Sequence, residues 1–226
     1  MTTAELRVVR VAADDQQTHE AVLDVLTRGF FPRESACLMA GVAASPEGAR
    51  QLLDLVSIAL KDGLSVAAYL GDEMVGCSVN KLQVKPAPGE ASFFERFADE
   101  RAPDPAANWT MHFMMRVDAR ADLFAEAGAG CDRLLELMFL AVVPEAGRRG
   151  VGVRLAAETV AVAREHGLRA VSAIFTSDHS RAIGRRLGFR ELAVAEHADF
   201  QFDGKSVLDR LSPAQQRSVL VILNLT

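Results

Sequence analysis

The stretch 137–152 constrains the fold of this chain more than any other. The apolar run Leu137-Met138-Phe139-Leu140-Ala141-Val142-Val143 ends at Pro144. A loop with Gly147, Arg148, Arg149, Gly150 and Gly152 follows, and 153–166 then has the composition of a helix. A buried strand feeding a helix through a glycine turn is an element of a layered α/β structure. Such a turn also suits an anion, because the first N–H groups of a helix have no partner within it and the helix dipole adds positive charge. Two arginines in the same turn can pair with phosphate oxygens. A Walker loop is excluded by the absence of Gly-Lys-Ser/Thr, and the glycine spacing is not GxGxxG. The loop alone leaves two readings open: a pyrophosphate grip, or a plain turn with exposed arginines.

The chain downstream continues the alternation. Residues 169–175 read as a strand, 176–180 as a polar cap, and 181–187 as a short helix stopped by Gly188. Residues 189–194 begin another extended run. With these motifs in place, the chain resembles the GNAT superfamily of acetyl-CoA-dependent N-acetyltransferases. That family carries Gln/Arg-x-x-Gly-x-Gly/Ala after a central strand and Leu-Gly-Phe after a later short helix. The counterparts are Gly147-x-x-Gly150-x-Gly152 and Leu187-Gly188-Phe189, and the likeness spans about residues 134–202. Two departures stand out. Gly147 occupies the Gln/Arg position, with Arg148 and Arg149 keeping positive charge close. Gly184 stands where many members carry a tyrosine that protonates the leaving thiolate, and the chain's one tyrosine is Tyr69.

The segment Gly29-Phe30-Phe31-Pro32-Arg33-Glu34-Ser35 is similar to the Phe-Phe-x-x-Glu-Pro of the insect-type arylalkylamine (dopamine-like) N-acetyltransferase branch, with Ser35 replacing proline. That resemblance implies Glu34 as general base and Thr176 and Ser180 as functional hydroxyls. The family resemblance implies an α/β (α+β) fold with a mixed, mostly antiparallel sheet of about seven strands and helices on both faces. It also implies acetyl-CoA as co-substrate, with no metal. The sheet would splay beside the central strand, so that backbone N–H groups near Ala141, Val142 and Val143 polarise the thioester carbonyl. The pyrophosphate would meet Arg148, Arg149, Gly150, Val151, Gly152 and Val153, and His179 would touch the coenzyme arm.

Length and composition fit this picture. The 226 residues, half of them hydrophobic, suit a single N-acetyltransferase domain over 1–226, able to bury about 70% of its unfolded surface. A net charge of −5 argues against non-specific nucleic-acid binding, and an acidic surface favours a cationic amine. Cys37, Cys77 and Cys131 form no CxxC pair, and they read as small buried hydrophobes. Charges fall too early for a secretory leader, and no apolar run reaches the roughly 20 residues of a membrane span. A cytoplasmic location is expected, without a membrane partner. The oligomeric state, monomer or homodimer, stays open.

Elsewhere, 5–12 reads as a first strand, 15–29 as a helix, and 46–61 as a helix capped by Ser45 with Pro46 at N1. Strands 64–70 and 73–82 flank a Gly71-Asp72 turn. Residues 86–105 read as a surface loop or short helix, 108–127 as one long helical pattern, 134–143 as the central strand and 218–225 as a last strand.

The chemistry expected is attack of a neutral amine on the acetyl thioester, which requires a base. Glu34 follows two phenylalanines and a proline, and its plain reading is an exposed charge. Glu136 competes: strict alternation puts it on the face of Met138, Leu140 and Val142, and its plain reading is a strand-end charge in solvent. Ser180 is the candidate to protonate the thiolate, Thr176 to place substrate or coenzyme; both could simply cap a helix. Trp109 and His112 lie among Met111, Met114 and Met115, a cluster that reads as core or as the lining of an aromatic-amine site. The leading function is acetylation of a small-molecule primary amine, arylalkylamines included. The alternatives are a protein or peptide N-acetyltransferase, and a catalytically silent CoA-binding module.

Overall fold

The computed structural model describes residues 5–225. Residues 1–4, part of the stretch read for a leader, lie outside it. A seven-stranded sheet forms the centre, in the order β1-β2-β3-β4-β5-β9-β6. Its strands are β1 (Leu6–Arg10), β2 (Val66–Leu70), β3 (Glu73–Val84), β4 (Arg133–Val142), β5 (Ala170–Phe175), β6 (Arg190–Glu196) and β9 (Arg217–Asn224). Only the β4–β5 pair is parallel. The helix between them is α7 (Val151–Glu165), so the arginine–glycine loop sits where a parallel crossover begins. A small hairpin, β7 (Gln201–Phe202) with β8 (Lys205–Ser206), stands apart from the sheet.

The sheet has helices on both faces, as expected. On one face lies α7. Its Val151 and Leu155 side chains would crowd a Cβ at Gly76, and Thr159 is hydrogen-bonded to Ser78 and Asn80. On the other face lie α2 (Ser35–Ala40) and α5 (Pro105–Asp118). Their Met39 and Phe113 pack with Leu134, Ala170 and Ile222. The end of α1 (Gln16–Gly29) joins this side through Phe30, whose ring meets Phe139 edge-on at 5.1 Å. Helix α3 (Pro46–Leu60) starts with Ser45 as its cap and Pro46 at its first position, as the sequence predicts.

The 86–105 stretch holds a short helix, one of the two readings it allowed: α4 (Phe93–Arg101), opened by a capping box of Ser92 and Glu95. The reading departs from the structure in three other places. The single helical pattern over 108–127 is two helices, α5 and α6 (Leu123–Glu126). Asp122 caps the second and breaks the run. Helix α8 (Asp178–Leu187) starts earlier than 181 because Ser177 is its cap. Helix α2 was not anticipated: it is one short turn, and its cap is Glu34 itself.

Strand β4 is irregular in a way that matters. Val79 pairs with Phe139 but Asn80 with Leu137, leaving Met138 as an extra residue in a β-bulge. The bulge reverses the side-chain alternation. Glu136 therefore shares a face with Phe139, not with Leu140 and Val142 as strict alternation required. Pairing with β5 covers only Leu135, Glu136 and Leu137. Beyond Leu137 the two strands part.

Candidate active site

The site lies where β4 and β5 separate. A cavity of about 520 Å³ runs from the start of α7 past the splay to the polar segment 176–180. A second, of about 420 Å³, continues from it beneath α4, α5 and α6. Phe30, Glu34, Met114, Leu137, Met138 and Ile174 line both.

Glu34 is held at that junction. Its Oε2 accepts from the Cys37 N–H at 2.8 Å, capping α2, and its Oε1 accepts from Thr176 Oγ1 at 2.7 Å. The side chain is half-buried, not an exposed loop charge. Ser35, fully buried, donates to the Thr176 carbonyl at 2.6 Å. This explains why serine replaces the proline of the insect-type motif: its hydroxyl ties the Glu34 segment to the end of β5. Gln215, which sequence reasoning missed, donates to the Arg33 carbonyl at 2.8 Å and to Ser35 Oγ at 3.2 Å. His197 supports Gln215 from beneath. It is fully buried, its Nδ1 donates to the Gln215 carbonyl, and its Nε2 accepts from Ser218. Burial holds its pKa below the ordinary value, consistent with a neutral ring in that arrangement.

The other hydroxyl sits close by. Ser180 is half-buried and lines the larger cavity. It forms a capping box with Ser177, receiving the Ser177 N–H at 3.2 Å. Capping is thus one role of Ser180, and Ser177, not Thr176, is the cap residue. His179 is exposed at the cavity rim. Gly184 has its own reason: a Cβ there would fall 2.2 Å from the Phe175 ring, which packs edge-on against Phe189. The space a side chain would need is filled, so the absent tyrosine could not be accommodated in this packing.

At the splay, backbone donors become available, but not all those expected. Val143 N–H donates to Val75 O at 2.9 Å and is committed to the sheet. Alternation turns the Ala141 N–H the same way, and those of Leu140 and Val142 toward the open side. The expected donors Ala141 and Val143 are therefore corrected to Leu140 and Val142, both of which line the larger cavity.

The loop before α7 fits an anion. Every other α-helix among the described residues is capped at its start by a side chain, whereas α7 begins at Gly150, in a left-handed conformation (φ 77°), with none. Its first N–H groups are left for a ligand or solvent. Arg148 and Arg149 are exposed and form no salt bridge among the described residues. Gly152 is needed for close approach, since a Cβ there would lie 3.1 Å from Ile183 of α8.

The smaller cavity is apolar over most of its wall, with Phe94, Met111, Met114, Met115 and Phe139 contributing. The methionines line it as one of the two readings allowed. Trp109 and His112 do not: Trp109 stacks on Phe113 and donates to the Gln201 carbonyl, and His112 is exposed. Glu136 lines this cavity alone, in mid-strand, and burial pushes its pKa up to about 8, aided by Asp118. Asp118, at the end of α5, is open to the cavity yet crowded by protein, which raises it to about 6. Sequence reasoning missed Asp118, whose one signal is an acid at the end of a helix where the dipole disfavours it.

Residues 41–189 match the family model described as the acetyltransferase (GNAT) family. The chain belongs to the GNAT acetyltransferase family. Among curated proteins none matches the sequence. Solved GNAT-like structures share the fold over nearly the whole chain. Arylalkylamine N-acetyltransferase 2 from Aedes aegypti superposes with a TM-score of 0.84 at 16% identity, covering 98% of this chain and 100% of that one. A mosquito arylalkylamine N-acetyltransferase like 5b gives 0.76 at 20% identity, covering 98% and 100%. A Drosophila melanogaster polyamine N-acetyltransferase, described as forming N-acetylagmatine, gives 0.79 at 21% identity, with the same coverage. At these identities the likeness is one of fold. This GNAT chain has the mostly antiparallel seven-stranded sheet that its motifs implied, and its class is N-acetyltransferase. No helix among the described residues is long and apolar enough to cross a membrane.

Proposed function

We propose that residues 1–226 form a single N-acetyltransferase domain that moves an acetyl group from acetyl-CoA to the primary amine of a small molecule by direct attack. The observation that carries this reading is the position of Glu34, whose carboxylate borders both the coenzyme-side cavity and the smaller acceptor cavity. An ammonium entering the acceptor cavity gives its proton to Glu34, directly or through one water, and the freed lone pair attacks the thioester carbon. The Thr176 and Cys37 hydrogen bonds keep the carboxylate aimed. The Leu140 and Val142 N–H groups receive the developing oxyanion at the splay. The tetrahedral carbon then expels the coenzyme sulfur as the attacking nitrogen sheds its extra proton, and Ser180 relays a proton to the departing thiolate and regains one from that nitrogen, so its hydroxyl is restored.

Acetyl-CoA would lie along the larger cavity. Its pyrophosphate would meet the N–H groups of Gly150 to Val153 and the guanidinium groups of Arg148 and Arg149, with His179 beside the arm. Glu34 is preferred to Glu136 as base because Glu136 borders the acceptor cavity alone. An acceptor space roofed by Phe94 and Phe124 favours a small amine over a peptide. The neighbouring folds described as arylalkylamine and polyamine acetyltransferases support the same substrate class. A panel of aromatic amines, polyamines, amino acids and peptides, assayed for thiol release from acetyl-CoA, tests this reading. Amine-dependent release with small amines is expected. Release with none of them would move the assignment to a silent coenzyme-binding module.

A further inference from the structure

The acceptor cavity is not neutral at its far end. Its lining holds five carboxylates (Glu34, Glu95, Asp118, Asp122 and Glu136) against one cation, Lys85. Glu95 and Asp122 are used as helix caps, and Glu34 is engaged at the transfer centre. The Asp118 carboxylate has no salt-bridge or hydrogen-bond partner among the described residues, and the Glu136 carboxylate is met only by Gln83, through one oxygen. Lys81, nearest in register to Glu136, is already paired with Asp62 at 2.7 Å. Lys85 has its ammonium 5.9 Å from the centre of the Phe124 ring. Beside Glu136 on β5, on the same face, is Ser172, 1% exposed, with a hydroxyl that has no hydrogen-bond partner. Two steps along that face, Ile174 lines the cavity. A walled space lined by the unneutralised carboxylates of Asp118 and Glu136 suits a cation that brings its own hydrogen-bond donors.

Resting on the acetyltransferase reading, we propose that Asp118 and Glu136 hold a second cationic group at the far end of the acceptor, so that the preferred substrate is a linear diamine or amino-guanidine and not a monoamine. The bulge at Met138 brings Glu136 onto the acceptor face. The methionine walls accept the methylenes. The advantage of a second charge should grow between pH 6 and pH 8. Over that range the carboxyls of Asp118, raised by desolvation, and Glu136, raised by burial and by the nearby Asp118, ionise most readily when a cation faces them.

The test compares kcat/KM for 1,4-diaminobutane and 1,6-diaminohexane with butylamine and hexylamine, in the wild type and in Asp118→Asn, Glu136→Gln and the double variant. The wild type should favour each diamine at least tenfold at pH 8, less at pH 6, and the double variant should bring the ratio toward one. The wild-type comparison alone suffices if a variant misfolds. Equal values for diamine and monoamine, a preference for phenylethylamine over every diamine, or a ratio unaltered by the double substitution would overturn the proposal while leaving amine acetylation intact. Absence of turnover with every amine would instead remove the reading on which it rests.

Discussion

Glu136 shows how a single carboxyl can trade stability for recognition. Burial beside Asp118 raises its pKa to about 8, from an ordinary value of 4.5. A carboxyl raised on folding contributes stability that is complete below its unfolded value and is lost as pH climbs through the folded one. Between about pH 4.5 and pH 8 the folded chain keeps a proton that the unfolded chain has released, so this residue weakens the fold as pH rises. Thermal unfolding of wild type and Glu136→Gln across pH 5 to 8.5 measures this. The variant, always neutral, should gain in Tm over the wild type as pH increases. A constant difference would mean that the carboxyl titrates normally. Gly184 illustrates the opposite balance. Glycine inside a helix ordinarily loses about 1 kcal/mol to alanine, but with the Phe175 ring 2.2 Å from a would-be Cβ, overpacking of about 1–3 kcal/mol decides for glycine.

At the scale of elements, the start of α7 governs coenzyme binding. It lacks a side-chain cap and is preceded by two exposed arginines that form no salt bridge among the described residues. Replacing both Arg148 and Arg149 by alanine should weaken acetyl-CoA binding about tenfold in low salt, and less at ionic strengths where the Debye length shrinks to about 3 Å. Calorimetric titration at two salt concentrations reads this directly; equal affinity for wild type and variant at low salt would refute the pyrophosphate assignment. This element was legible in the sequence because its signals are local: an apolar run, a proline, glycines and a helical pattern. The 46–60 helix and the Gly71-Asp72 hairpin were legible for the same reason. Helix α2 and the bulge in β4 were not. One is a single turn with no periodicity to detect, and the other arises from how β3 and β4 align, which no window along one strand records.

Over the whole molecule, the site is assembled from segments far apart in the chain, and this limits what sequence reveals. Glu34 and Thr176, 142 residues apart, share a hydrogen bond. A resemblance to known motifs could pair them, because motifs carry such long-range facts. The clamp from Gln215 to residues 33 and 35, and the meeting of Asp118 with Glu136, follow from the packing of the C-terminal strands and α5 against the sheet. Neither pair has a fixed spacing to announce it. The resulting machine depends on one carboxylate standing where two cavities join. The decisive measurement is kcat for thiol release by Glu34→Gln with the best amine, together with the Kd for acetyl-CoA. The account predicts a loss in kcat of about a hundredfold or more with coenzyme affinity within about twofold of wild type. A kcat equal to that of the wild type would contradict it.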